Sequence, residues 1–503
     1  MSTTTPRAER RLTRKNSPDR LSAGTTLAWT TTGISAAVFV VLSGYFTFYG
    51  TNVLGLPAAV IGTIVLLGTL LSAAGVVVAG WLVDRSPETR WGKARPYELA
   101  IVGVWAAAYM LFSTPDFDHT GKAIWLFVAY SLANVVFISL LGANDVLYMA
   151  RAFRGRVLFT KVSTRTGFLT VLGVVAFNVV LPLLVSQAGE SAPAWSTTVL
   201  FIALPMAVLG LGRFIFVKEK YQTEAADAPR ITFRDIREVL GNNRYLWIVA
   251  GISLVSAIAS APTVTVYFFN YVVGDIALMS LVAVVPIIVL PIMLAFPWLM
   301  RKIGASRIIT YGAIGGVVGG VVMSLSGGNL ALVFVATILS GVGILPITFL
   351  TGVLIIDNAA YNQWSGRRRL ESTMGAITNF CLRVGAGVAV GISGWVLGLA
   401  GYDGNLDKQA DSAITAIVLF AGAVPALLWV GVIIVMQRYR RLELMLPTIT
   451  EELSAILADD PDVDAPAVEI VPGVDTASAA PESAARVEAA SHDGDLAHEP
   501  KQI

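Results

Sequence analysis

The sequence predicts an all-α polytopic membrane protein with twelve transmembrane helices in two lobes of six. Three observations carry that prediction. Only 14% of the 503 residues are charged, against 55% hydrophobic. Uncharged apolar runs of about 20 residues, the length that crosses a bilayer, recur along the chain. Lys and Arg gather in every second connection between those runs. Soluble domains carry about 25% charged residues, so a mean hydropathy of +0.70 excludes a soluble enzyme and a disordered chain. A net charge of +2 leaves no basic footprint for nucleic acid. The single cysteine, Cys381, excludes an internal disulfide, and His119, His492 and His498 are too scattered to predict a metal centre.

Residues 1–24 form a basic tail carrying Arg7, Arg10, Arg11, Arg14, Lys15 and Arg20. It lacks the short apolar core and cleavage site of a signal peptide, so the first run is expected to remain as a membrane helix. Twelve runs follow, at about 27–49, 57–83, 97–114, 122–149, 166–187, 194–217, 245–271, 277–300, 306–326, 330–355, 374–400 and 412–436. Their uniform apolarity predicts helices, since barrel strands alternate residue by residue. The first six make an N-terminal lobe, 25–217, and the last six a C-terminal lobe, 245–440. Between them lies a linker, 218–244, where Phe233, Ile236, Val239 and Leu240 recur at helical spacing among charges. That pattern predicts a short amphipathic helix on the membrane face. Residues 441–503 are expected as a disordered acidic tail, because 450–503 holds thirteen acids against Arg486 and Lys501.

Basic residues cluster at the N-terminus, 85–95, 151–165, 213–244, 301–307, 367–369 and 438–441, whereas the alternate loops hold only Lys122 and Lys408. Cytoplasmic loops accumulate Lys and Arg, so both termini are expected inside, in the cytoplasmic (inner) membrane. Glycines four apart, Gly315 and Gly319, Gly316 and Gly320, and Gly387 and Gly391, suit close helix packing.

Two cytoplasmic stretches carry more than orientation. In GWLVDRSPETRWGKARPY, 80–97, Asp84 leaves the second span and is followed by Arg85, Arg90, Lys93 and Arg95. In DNAAYNQWSGRRRLES, 357–372, Asp357 and Glu371 flank Arg367, Arg368 and Arg369. Such carboxylate–arginine sets can lock the inner face shut until two lobes rock. An orientation signal is the other reading of both.

These stretches resemble the signatures of the glycoside–pentoside–hexuronide:cation symporters, the melibiose permease group of the major facilitator superfamily. The first matches D-R-x-x-x-T-R-W-G-K-x-R-P and the second resembles the group's D-x-x-D-Y-x-x-W-x-x-G-x-R-x-E turn. YFTFYGTNVLGL (45–56), NNRYLW (242–247) and RVGAGVAVGISGWVLGLAGY (383–402) extend the likeness over about 25–440. The resemblance implies a two-lobed carrier that moves a sugar or glycoside by alternating access, commonly driven by sodium or a proton.

The group's two cation-binding acids of span two fall here at Ser72 and Val76. A sodium site needs several hard oxygens and Val76 supplies none, so no cofactor or bound metal is expected and the coupling ion, proton or sodium, is open. The resemblance places the sugar-binding acid of span one at Ala36, beside Ser35, the basic residue of span eleven at Arg383, and the arginine of span five at Arg165. Asp145 and Arg383 are the two ionisable residues read as lying inside spans, which by its cost marks each as a functional candidate. Asn379 is one turn before Arg383, on the same face, with Thr378 beside it.

The expected substrate contacts are therefore Arg383, Asn379, Thr378, Asp145, Arg165 and Ser35, with an inner gate of Asp84, Arg85, Arg90, Lys93, Arg95, Asp357, Arg369 and Glu371. A lipid-embedded monomer with a small-molecule substrate is expected. A uniporter or exporter on the same fold, or a non-transporting scaffold or sensor, stay as alternatives. An ATP-driven pump does not, since the glycine runs lack G-K-[ST].

Overall fold

The computed structural model describes residues 22–459 except 154–155, 221–240, 242, 261–262, 368–370 and 407. The expected amphipathic helix of the linker, the basic N-terminal residues 1–21 and the acidic residues 460–503 lie outside the described residues.

Among the described residues the chain is helical throughout, with one isolated bridge between Thr89 and Gly92. Ten helices are long and apolar enough to cross a membrane. The other two expected spans are occupied by shorter helical pieces. Span three is Ala100–Phe112, entered through a 3-10 turn at Arg95–Leu99. Span eight is broken into Met279–Val282, Val285–Val289, a 3-10 stretch Leu290–Ala295 and Phe296–Ile303. Pro286, Pro291 and Pro297 fall in it, and each removes a backbone donor.

The helices sort into two six-helix lobes. Span one packs on spans five and six, and span three on six; in the other lobe span nine packs on ten and twelve, and span seven on eleven and twelve. Corresponding spans share local devices. Span one ends in a π-helical turn at Tyr49–Val53 and span seven in one at Phe269–Val273. Each is followed closely by a glycine at positive φ, Gly55 at 68° and Gly274 at 91°. The apolar residues between the helices form the core, with Trp29, Trp105, Trp195 and Trp429 fully enclosed. The glycine pairs pack as expected. A Cβ on Gly316 would meet the Trp429 indole at 2.8 Å, and one on Gly320 the Gly422 carbonyl at 2.6 Å.

One expected boundary changes. The last helix, Val424–Asp459, runs 19 residues past the expected start of the tail at 441. Leu442, Ile449 and Leu453 line one of its faces and are buried, and Glu452 accepts a hydrogen bond from the Trp364 indole. Glu443 and Glu452 find partners in the same lobe, Ser306 and Trp364, so composition alone misplaced the boundary.

Candidate functional site

The lobes meet at the end opposite the basic loops. There the first half of span two (Ala58–Arg85) crosses the last half of span eleven (Glu371–Leu399) backbone to backbone. A Cβ on Gly394 would lie 2.6 Å from the Ala58 carbonyl, and one on Gly62 would lie 3.0 Å from the Gly391 carbonyl. Beside this crossing a polar cluster ties spans one, seven and eleven. Thr51 and Tyr267 share a hydrogen bond of 2.9 Å, the Tyr402 hydroxyl donates to Asn52 at 2.7 Å, and Tyr271 and Tyr402 are 3.1 Å apart. The Asn52 amide donates in turn to the Tyr271 hydroxyl. Thr51, Asn52, Tyr267 and Tyr402 are buried and Tyr271 is half-buried, so the cluster plugs that end. Its residues sit in YFTFYGTN and its counterpart after Val264, whose repetition is visible in the sequence but carries no charge to draw notice.

Leu70 and Leu71 of span two and Asn379, Phe380 and Arg383 of span eleven are exposed. Gly387, which contacts Thr69, is one turn from Arg383. Arg383 thus sits at the edge of the closed crossing, about 18 Å along its helix at 1.5 Å per residue. Asn379 shares its face, its amide donating to the Gly375 carbonyl at 3.0 Å. Arg165 of span five is exposed too. Thr378 is instead buried and back-bonded to the Met374 carbonyl at 2.9 Å. Ser35 is likewise buried inside its lobe, accepting from the Trp105 indole at 2.7 Å and donating to the Met206 carbonyl at 2.7 Å. These two expected substrate contacts are occupied by packing. Ser72 donates to the Asn134 carbonyl at 3.2 Å. Among the described residues no cluster of His, Cys, Asp or Glu could hold a metal ion.

A cavity of about 550 Å³ opens between span five and the C-terminal lobe. Asn178, Thr265, Thr337, Ser340, Thr348 and Trp429 give its wall polar and aromatic character within an otherwise apolar lining. Arg383 and Asn379 are not part of that wall.

Asp145 is not free to face a substrate. It accepts a 2.6 Å bond from Arg213 of span six, which also lies 3.6 Å from Glu98 at the start of span three. Arg213 donates through Nε to the Trp29 carbonyl at 2.8 Å and stacks on the Trp29 ring at 4.1 Å. So Glu98 and Arg213 join Asp145 as ionisable residues enclosed among the helices of this lobe. Glu98 follows the RPY turn and Arg213 opens a basic stretch, so neither stands out in the sequence as an intramembrane charge.

Among the described residues, several of the expected inner gate make bonds within their own lobe. Glu219, just past span six, accepts from the backbone N–H groups of Lys93, Ala94 and Arg95 at 3.2, 2.7 and 2.7 Å. It also takes a 3.0 Å ion pair from Arg151, which reaches Glu88 at 2.9 Å. Burial opposes the charge on Arg151, but the bonds from Glu219 and Glu88 outweigh it and raise its pKa. Arg95 donates to the Phe214 and Ile215 carbonyls, while Arg85 and Arg90 lie over Trp81 and Trp91. The second lobe repeats the device: Glu443, past span twelve, accepts from the Ser306 amide at 3.2 Å and from its hydroxyl, at the start of span nine. Asp357 sits inside that lobe, 3.5 Å from the Tyr439 hydroxyl. Arg369 and the side chains of Asp84 and Glu371 lie outside the described residues.

Two helical lobes packed on each other across spans two and eleven define a polytopic membrane protein. Residues 33–441 match the MFS/sugar transport protein family model, and the chain belongs to that family. It is 27% identical over 390 residues to the isoprimeverose transporter of Lactiplantibacillus pentosus, covering 75% of this chain and 80% of that protein. It is 25% identical over 378 residues to the glucuronide carrier protein homolog of Escherichia coli (strain K12), covering 71% and 79%. Its fold is similar to the crystal structure of the nucleoside transporter NupG, with a TM-score of 0.56 at 12% identity over 81% of this chain and 98% of that one.

Proposed function

We propose that the chain carries a sugar, glycoside or sugar acid across the cytoplasmic membrane as a monomer with both termini inside. The observation that carries this reading is the exposed Arg383–Asn379 face immediately beyond the closed crossing of spans two and eleven. A guanidinium there can hold a carboxylate or two vicinal hydroxyls through paired N–H donors, with Asn379 adding a polar contact. Arg165 on the facing lobe is a second candidate contact. The exposure of Arg383 and Asn379 on the side of the basic loops supports an inward-open state, by the cytoplasmic enrichment of Lys and Arg.

Span two lends little support to the sodium site the resemblance implies, since Ser72 and Val76 stand at the acid positions and Val76 offers no oxygen. Coupling to a proton, or facilitated movement without an ion, fits these residues better. The test is counterflow in proteoliposomes with isoprimeverose and a methyl glucuronide, for wild type and Arg383→Ala. Exchange of either sugar by the wild type, lost in the variant, is expected. Undiminished exchange by Arg383→Ala overturns the anchor, and no exchange by the wild type overturns the substrate class.

A further inference from the structure

The charges enclosed in the N-terminal lobe do more than the substrate face requires. Glu98 has no exposed side-chain surface and Arg213 has 6%, whereas Asp145 keeps 47%. One guanidinium nitrogen of Arg213 thus serves two carboxylates, closely at Asp145 and loosely at Glu98. With both acids ionised the cluster carries a net −1 in a buried setting, and one bound proton makes it neutral. The geometry shows where that proton fits. The Asn144 amide donates to Glu98 Oε1 at 3.0 Å, while Glu98 Oε2 and Asn144 Oδ1 are both buried without a hydrogen-bond partner. Thr32, facing Glu98 from span one, gives its proton to the Gly210 carbonyl at 2.8 Å. An ionised carboxylate leaves Oε2 and Oδ1 as two orphan acceptors, each costly. A proton on Oε2 would turn one of the two orphan acceptors into a donor, the hydrogen that a cyclic acid–amide pair of Glu98 with Asn144 requires.

We propose that Glu98, paired with Asn144, is a proton-binding site of this carrier, with Arg213 linking its state to Asp145. The titratable groups facing Glu98 are Arg213 from span six and Asp145 and Tyr148 from span four. When Glu98 ionises, Arg213 is drawn between two carboxylates; when Glu98 is protonated, Arg213 belongs to Asp145 alone. Arg213 also holds the Trp29 carbonyl of span one, so the proton alters attractions among four helices of one lobe. Asp145, half exposed, gives the cluster its contact with solvent. The site would supply by proton what Ser72 and Val76 cannot supply by sodium. This use as a coupling site rests on the transport reading above; proton binding itself does not.

Two measurements separate these claims. Acid-minus-alkaline infrared difference spectra of the full chain in nanodiscs need no substrate. A protonated-carboxyl component beyond the bands of the other carboxyls, Asp357 among them, is expected in wild type and Asp145→Asn and is lost in Glu98→Gln, whose amide mimics the protonated acid. Its absence in the wild type, or its persistence in Glu98→Gln, overturns the site. In proteoliposomes, one proton per sugar allows an inside-alkaline gradient of one pH unit to support up to about tenfold accumulation. Glu98→Gln should keep counterflow of isoprimeverose or a methyl glucuronide but accumulate to only about onefold. Counterflow by the wild type without any response to the gradient overturns the coupling while leaving the carrier reading intact. Absence of counterflow in the wild type overturns the substrate class, and the infrared result still decides the proton site.

Discussion

Replacing Glu219 by alanine should unpin the N-terminal lobe at its basic end. The carboxylate is 9% exposed and holds three consecutive backbone N–H groups together with Arg151, whose own side chain is 8% exposed. Removing one partner of a buried ion pair costs about 3–5 kcal/mol, because the other charge stays desolvated. Glu88 remains on Arg151 but is half exposed, so its compensation is small. In a lobe of this size each kcal/mol moves Tm by about 2–4 °C, giving a fall of roughly 6–20 °C. Thermal unfolding of the detergent-solubilised chain reads this directly. Glu219→Gln, which keeps an acceptor oxygen but loses the charge, should fall by less than the alanine variant. Gly92 offers an independent check. Its φ is 104°, and a Cβ would stand 2.4 Å from the Glu219 carboxyl carbon, so Gly92→Ala should also lower Tm. An unchanged Tm in both Glu219→Ala and Gly92→Ala would refute the pin.

Three further outcomes are expected. Asn52→Leu removes the partner of Tyr271 and Tyr402 and costs the plugged state about 1–3 kcal/mol, so spin labels at Ala59 and Gly398 should report a larger separated population. Gly394→Ala places a methyl 2.6 Å from the Ala58 carbonyl, an overpacking worth about 1–3 kcal/mol, and should both part those labels and slow uptake. Arg383→Lys keeps the charge but not the planar fork, so a methyl glucuronide should be carried more slowly than by wild type and faster than by Arg383→Ala, measured as initial counterflow rate.

The class of fold was legible because the bilayer imposes it: twenty apolar residues leave a helix few alternatives. What the sequence hid is informative about charge. A basic loop is predicted from counting Lys and Arg, but counting does not say which member of a cluster turns inward. Arg213 and Glu98 stand within a few residues of span ends, where a charge costs little in a linear reading, and only the approach of spans one, three, four and six encloses them. Arg383 and Asn379 were legible as a pair because four residues along one helix fix a shared face without any tertiary information. Ser35 failed for the complementary reason: it depends on which neighbours face span one, and Trp105 and Met206 had no mark in the sequence.

The corrected gate changes how alternation is held in check. Had the arginines of 85–95 reached across to the other lobe, opening the basic end would mean breaking those ion pairs. Instead Glu219 and Glu443 each bind a loop of their own lobe, at corresponding places after spans six and twelve. Each stands where a positive-φ glycine leaves room, Gly92 and Gly304, with a Cβ excluded at 2.4 and 2.5 Å. Such bonds survive a rocking motion unchanged, so they make each lobe a rigid body rather than setting its position. The contacts that must break lie at the other end, and they are of a kind that breaks cheaply. They are neutral hydrogen bonds among Thr51, Asn52 and three tyrosines, worth about 0.5–1.5 kcal/mol each, and glycine-lined backbone contact that leaves few side chains to disentangle. A carrier divided in this way keeps its strong charge-assisted bonds inside the moving parts and its weak ones between them.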